Sequence, residues 1–295
     1  DHRDLHSFPT RRSSDLFYVT DKNNVVVGYI TIDKLVLNKP ETLLSQIIDK
    51  AEFLVYVDED QEDVANQMKH YNLICAPVID KEKHFLGIIT AEDVFEIMTE
   101  EESEDVYKMS GQAPMEHSYF ATPTWQLVRQ RIPWLIGLLL LQSFSSMILL
   151  QYNSMISNYA IITLFLTMLI GTGGNAGNQS ATLVIRGLTT KEITRQNGIK
   201  MLIREMGISL IIASIIVLVG FTRVFYTSHD IISTIAITLS LFLIIVTSIT
   251  LGTLVPLVLE RFNLDPAHSA APFLTTLMDI LGVLIYCIVC SKILG

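Results

Sequence analysis

Cysteine is nearly missing. Cys75, Cys287 and Cys290 are the only three in 295 residues, which leaves no disulfide framework. Cys287 and Cys290 have the spacing of a metal pair, but their apolar run carries no second Cys or His pair, so they read as small membrane residues. Acid is scarce in the second half: beyond Trp125 the only carboxylates are Glu192, Glu205, Asp230, Glu260, Asp265 and Asp279. No apolar run holds HExxH, a paired aspartate or a serine with a base, which argues against an intramembrane hydrolase. The first residues, DHRDLHSFPTRRSSDL, lack both apolar periodicity and a signal-peptide core. Residues 1–16 therefore read as non-native or assembly-derived, with the natural protein expected to start further upstream.

What is present divides in two. Half of the residues are hydrophobic, yet the formal net charge is −9, because residues 41–105 are acid-rich. A soluble acidic module is expected to precede a membrane domain. Its charge argues against nucleic acid and anionic lipid as partners and suits cations. An internal repeat joins VGYITIDKL at 27–35 to LGIITAEDV at 86–94, an offset of 59. Each copy is a short β-rich run with one Gly, followed by a helix opened near an acidic residue. Between the copies, AEFLVYVDED, QEDVANQMKHY and ICAPVID alternate strand, helix, strand.

Eight carboxylates then fall between Glu92 and Asp105 with no base among them. Asp93, Glu96 and Glu100 share one helical face; Glu101, Glu104 and Asp105 share another. Like charges at those spacings repel and weaken a helix. Either the face is simply solvated, or divalent cations neutralise it. Oxygen-only ligands suit Mg²⁺ or Ca²⁺ and not Zn²⁺.

Five segments are apolar and long enough to span a bilayer, at about 20 residues each: 132–151, 158–186, 207–226, 230–259 and 270–293. Arg129 and Arg131 precede the first, and Arg186, Lys191, Arg195, Lys200 and Arg204 fill the connection after the second. QYNSMISN, after the first, has no base. The positive-inside rule puts the acidic module in the cytoplasm and the C-terminus outside. Asp279 is the one carboxylate deep in an expected span, and intramembrane carboxylates mark ion pathways by default. The run GTGGNAGNQS, residues 171–180, breaks the second span with small and amide residues. Such a run survives in hydrocarbon only where it lines a protein-walled cavity.

The repeat resembles a pair of CBS domains, the first represented by its C-terminal part (17–52) and the second nearly complete (53–98). Many such pairs bind adenosine nucleotides through Thr-x-x-Asp. Thr90 and Asp93 match it, while the first copy has Thr31 and Lys34; a plain helix cap is the equal alternative. The runs LIGTGGNAGNQSATLVIRGL and NLDPAHSAAPFLTTLMDILG resemble the MgtE family of magnesium transporters. That resemblance implies an acidic connecting (plug) helix and linker over 99–131, and a five-helix ion-conducting domain over 132–295. It implies a multi-pass homodimer in the plasma membrane and no enzyme activity. Its pore would be lined by Gly171, Gly174, Asn175 and Asn178, with Asp279 holding hydrated Mg²⁺. It places regulatory Mg²⁺ at Asp93, Glu96, Glu101, Glu104, Asp105 and Asp265, puts Asn72 where the family has a further carboxylate, and allows ATP at the CBS module. Mn²⁺ and Co²⁺ are further candidate ions. A Na⁺-coupled Mg²⁺ exchanger is the main rival, although no second intramembrane charge is evident in the sequence to drive coupling; a CBS-regulated enzyme is the remote one.

Overall fold

The computed structural model describes residues 16–114, 119–194, 196–269 and 271–295. Residues 1–15, nearly all of the stretch read as foreign, lie outside these; Leu16 opens the first strand. The chain forms two units, one ending at Ser103 and the other beginning at Glu104.

In the first unit, β1 (Leu16–Thr20) and β2 (Val26–Thr31) form an antiparallel hairpin followed by a short helix, α1 (Ile32–Leu37). The second copy runs β3 (Val55–Tyr56), α2 (Gln61–His70), β4 (Cys75–Ile79), β5 (Phe85–Thr90) and α3 (Ala91–Met109). β3 pairs parallel with β4, and β4 antiparallel with β5. The repeat extends to the hairpin turns. Asp21 Oδ1 accepts from the Val25 N–H at 2.9 Å, and Asp80 Oδ1 accepts from the His84 N–H at 2.8 Å. Asn24 and Lys83 both take the left-handed conformation there, at φ 62° and 69°, as such turns demand of one residue. The copies meet turn to turn: the Phe85 N–H donates to the Asn24 carbonyl at 2.8 Å and the Asn24 amide returns a bond to the Phe85 carbonyl at 2.9 Å. α2 starts at Asp60, whose carboxylate accepts from the Glu62 N–H. Val64, Ala65 and Met68 of α2 are buried with Val55, Ala76 and Val94, the i, i+4 stripe of an amphipathic helix over a sheet.

The second unit contains the end of α3 and then α4 (Thr124–Gln151), α5 (Asn153–Asn158), α6 (Ala160–Thr189), α7 (Gly198–Ser228), α8 (Ile231–Arg261) and α9 (Ala271–Leu294). Among the described residues five of these helices, α4 and α6 to α9, are long and apolar enough to cross a membrane. α4 and α7 start well before the expected apolar segments, at Thr124 and Gly198, because charged and amide residues continue a helix past the point where hydropathy falls; α6, α8 and α9 keep close to theirs. α7 begins at Gly198, so Glu205 lies within it. α7 and α8 are joined through His229, left-handed at φ 51°, and Asp230, whose carboxylate accepts from the Ile232 and Ser233 N–H groups. That cap fixes a tight antiparallel pair.

α6 and α8 come into backbone contact. On α6 the buried side holds Gly173, Gly174, Ala176, Gly177, Ser180, Ala181 and Val184; on α8 it holds Ser248, Gly252 and Thr253. The Ser248 hydroxyl donates to the Gly173 carbonyl across the interface. A methyl group on Gly252 would overlap the Gly177 carbonyl, and one on Gly177 would overlap the Ser248 hydroxyl. Lipid tails supply no hydrophobic drive for helix association, so close packing and hydrogen bonds must hold this pair together.

Gly252→Ala should therefore destabilise the membrane domain by about 1–3 kcal/mol through overpacking. Gly137→Ala, on α4 with nothing within 4 Å of the added methyl, should leave stability unchanged. Thermal denaturation in detergent tests both; equal melting temperatures for the two variants would contradict this packing.

Candidate ion pathway and regulatory residues

GTGGNAGNQS does not interrupt its helix. All ten residues lie in α6, and the helical period divides them between faces. Gly173 and Gly177 go to α8; Gly171 and Asn175 stay exposed. Gly174 turns toward α9, where an added methyl would rest 3.5 Å from Thr275 Cγ2. One turn on, the Asn178 amide donates to Thr275 Oγ1 at 3.0 Å, and Thr275 Oγ1 donates to the Ala271 carbonyl at 2.9 Å. This chain of bonds uses the amide nitrogen and leaves Asn178 Oδ1 enclosed with no hydrogen-bond partner. An enclosed acceptor of that kind is costly unless something donates to it.

Asp279 lies one turn beyond Thr275 on α9, so the two share a face. Its carboxylate is half-buried and hydrogen-bonds the Gln142 side chain of α4. Gln142 is silent in the sequence, since a lone amide in an apolar run gives no signal until its neighbour is known. Together the α6–α9 face offers the Asp279 carboxylate, the Asn178 amide, the Thr275 hydroxyl and, at Gly174, a position without side-chain bulk, with the Gln142 amide of α4 against Asp279.

A second carboxylate lies within the membrane helices. Glu205 is 5% exposed and accepts from the Ser180 hydroxyl of α6 at 3.2 Å. The sequence pattern left it in a connection, because Arg204 beside it ends the apolar run. Helical phase separates the two: Arg204 is exposed and Glu205 buried.

The acidic run on α3 does not form one cluster. Asp93 Oδ2 accepts from the Thr90 N–H at 2.8 Å and from the Thr90 hydroxyl at 2.7 Å. This resembles a capping box at the start of α3. In the first copy Lys34 instead pairs with Asp49 at 2.6 Å. Glu96 is exposed, and Glu101 accepts from the Gln61 side chain of α2 at 2.8 Å. Asp105 is partly buried. Glu104 and Asp265 do come together, through Lys108: its ammonium lies 2.5 Å from Glu104 Oε1 and 2.7 Å from Asp265 Oδ2. Burial opposes that charge, but the hydrogen bonds and charges of Asp265 and Glu104 outweigh it and hold Lys108 protonated well above the ordinary lysine range. Asn72 is left-handed at φ 53°, just past the end of α2. Asn is favoured at such a helix stop.

A cavity of about 1000 Å³ in the first unit is lined by Tyr18, Tyr29, Asp49, Lys50, Phe53 and Tyr71 among others, and neither Thr90 nor Asp93 lines it.

The chain thus combines an α/β module of CBS type with five helices long and apolar enough to cross a membrane, and one of these carries a half-buried carboxylate, Asp279. Residues 166–289 match the MgtE family, described as a divalent cation transporter, and residues 44–100 match the CBS domain; the chain is similar to the MgtE family, whose members are transporters and not enzymes. It is 31% identical over 269 residues to the magnesium transporter MgtE of Enterococcus faecalis, covering 91% of this chain and 59% of that one. It is likewise 31% identical to magnesium transporter MgtE of Thermus thermophilus, over 91% of this chain and 60% of that one. The chain thus spans about three-fifths of the length of these curated relatives. Among solved structures it overlaps the soluble part of a magnesium transporter (36% identity, TM-score 0.29, 30% of this chain and 34% of that one). It also overlaps the cytosolic domain of the Mg²⁺ channel MgtE in complex with ATP (31%, 0.27, 28% and 34%).

Asp93→Ala should lose the cap and cost about 0.5–2 kcal/mol, seen as faster amide exchange over the first turn of α3. Unchanged exchange there would remove Asp93 from the capping role.

Proposed function

We propose that this chain moves Mg²⁺ across the plasma membrane as a homodimer, with the pore beside the α6–α9 face. The observation that carries the proposal is the shared face of Asp279, Thr275 and Asn178, with Asn178 Oδ1 enclosed and lacking a partner. Mg²⁺ sheds its water reluctantly, so its pathway should receive the hydrated ion. Water on the ion donates to amide and carboxylate oxygens; Gly171 and Gly174 leave room for the shell; Asp279 supplies negative charge. Gln142 orients the Asp279 carboxylate by a hydrogen bond. Asn175 is exposed on the same helix and completes the row of oxygen acceptors. Mn²⁺ and Co²⁺ share the octahedral oxygen preference and are expected competitors.

A second copy is expected where α4 lies. Only 6% of its most apolar window is buried, against 39% for α6 and 44% for α8 and α9. The remaining surface of α4 faces lipid or the partner. Basic residues flanking α4 and α6 put the module in the cytoplasm and the C-terminus outside.

Gating is assigned to Asp93, Glu96, Glu101, Glu104, Asp105 and Asp265. High internal Mg²⁺ would neutralise the acidic faces of α3 and favour the closed state, provided that it binds this state more tightly. ATP is assigned to the aromatic-lined cavity of the first unit, where tyrosine and phenylalanine faces suit a purine, and not to Thr90 and Asp93, whose side chains are engaged at the helix start.

A second reading, Na⁺-coupled exchange, is favoured by Glu205. It is a second buried carboxylate on a helix long enough to span the membrane, and a buried carboxylate on such a helix is a candidate ion ligand.

Asp279→Ala should abolish Mg²⁺ flux into proteoliposomes, whereas Glu205→Gln should abolish only a Na⁺-dependent component. Wild-type flux in the Asp279 variant would sink the pore assignment. Replacing Glu101, Glu104 and Asp105 together by Ala should raise flux at high internal Mg²⁺ by weakening closure. An inhibition curve matching the wild type would remove these residues from the sensor.

A further inference from the structure

The contact between the end of α3 and the turn before α9 is already closed by a positive charge belonging to the chain. Lys108 lies one turn after Glu104 on α3, and the i, i+4 order of acid before base is the favourable one. Its ammonium reaches across to Asp265, 157 positions away in sequence. The Lys108 side chain is only 20% exposed, and Glu104 and Asp265 are 35% and 30% exposed. The turn holds Asp265 in place, because its other oxygen, Oδ1, accepts from the Ala267 N–H at 2.8 Å. Oδ2 is thereby directed to Lys108. An ammonium is a compact point charge with three donors, and hydrogen-bonded to both carboxylates it occupies the place from which a divalent ion would bridge them.

We propose that Lys108 is the resident cation of the Glu104–Asp265 contact, closing it without a divalent ion and competing with Mg²⁺ for the same two carboxylates. Two consequences follow. Without Lys108, Glu104 and Asp265 repel and the contact opens unless Mg²⁺ is supplied. With it, the contact persists at low Mg²⁺, so its response to the ion is shallower. The effect on transport rests on the gating role proposed above; the effect on the contact does not.

The experiment compares wild type, Lys108→Met and Lys108→Arg in the whole chain in detergent, following amide hydrogen exchange of residues 104–109 in EDTA and in millimolar Mg²⁺. In EDTA the Met variant should exchange roughly five-fold faster, at the low end of usual coupling strengths. The Arg variant should match the wild type, and Mg²⁺ should restore protection to the Met variant. Equal exchange in wild type and Met variant, or an Arg variant behaving like Met, overturns the proposal. Mg²⁺ flux at low internal Mg²⁺ is measured beside it and should rise about five-fold in the Met variant. Altered exchange with unaltered flux would uphold the Lys108 contact and refute the gating role of α3.

Discussion

The crossing of α6 over α8 is the constraint on which the membrane domain depends. Two helices in hydrocarbon gain little from hiding apolar surface, so they need backbone contact and hydrogen bonds. Gly177 and Gly252 permit the contact and Ser248 supplies a bond to the Gly173 carbonyl. Because residues 173 and 177 are committed to α8, the helical period sends 171 and 175 to the opposite side and 174 and 178 to α9. The glycines of one motif therefore do two different things. Half of them hold the helix, and the others keep a surface free of side-chain bulk. α8 supports the same arrangement along its length, with Ser233, Thr234, Thr238, Ser240, Ser248 and Thr253 all buried. Several of them return their hydroxyls to carbonyls of their own helix, which satisfies the hydroxyl without a water.

Charge is handled by partner and not by number. Within the membrane helices Asp279 has Gln142 and Glu205 has Ser180; neither partner is a base. A neutral donor satisfies a carboxylate oxygen without adding an opposite charge, whereas a lysine or arginine would bring one. At the end of α3 the opposite arrangement holds, and one lysine bridges Glu104 and Asp265. Carboxylates thus meet neutral donors in the first place and a cationic one in the second. The difference lies in whether the nearest donor carries charge.

Much of this was legible in the residues. The 59-residue repeat foretold two copies of a strand–helix unit, and they share even the aspartate of their hairpin turns. Apolar runs and their lengths foretold five spanning helices, because a bilayer imposes one length on all of them. The absence of a base among eight acids on α3 was visible too, as was the isolation of Asp279 in its span. What periodicity and composition read well are properties of one element at a time.

Properties of two elements together came only from the tertiary structure. Gln142 and Ser180 are unremarkable side chains until packing sets them against Asp279 and Glu205. Lys108 stands outside the acidic run in sequence, yet the fold brings Asp265 to it. Thr90 and Asp93 fit a nucleotide motif and a capping box equally well as letters; the hydrogen bonds between them follow the second. Local sequence determined where helices and strands form, since propensity and hydropathy act over a few residues. Which face of α6 meets α8, and which carboxylate meets which donor, was decided by the crossing of helices far apart in the chain, where contact distance and not spacing sets the interaction.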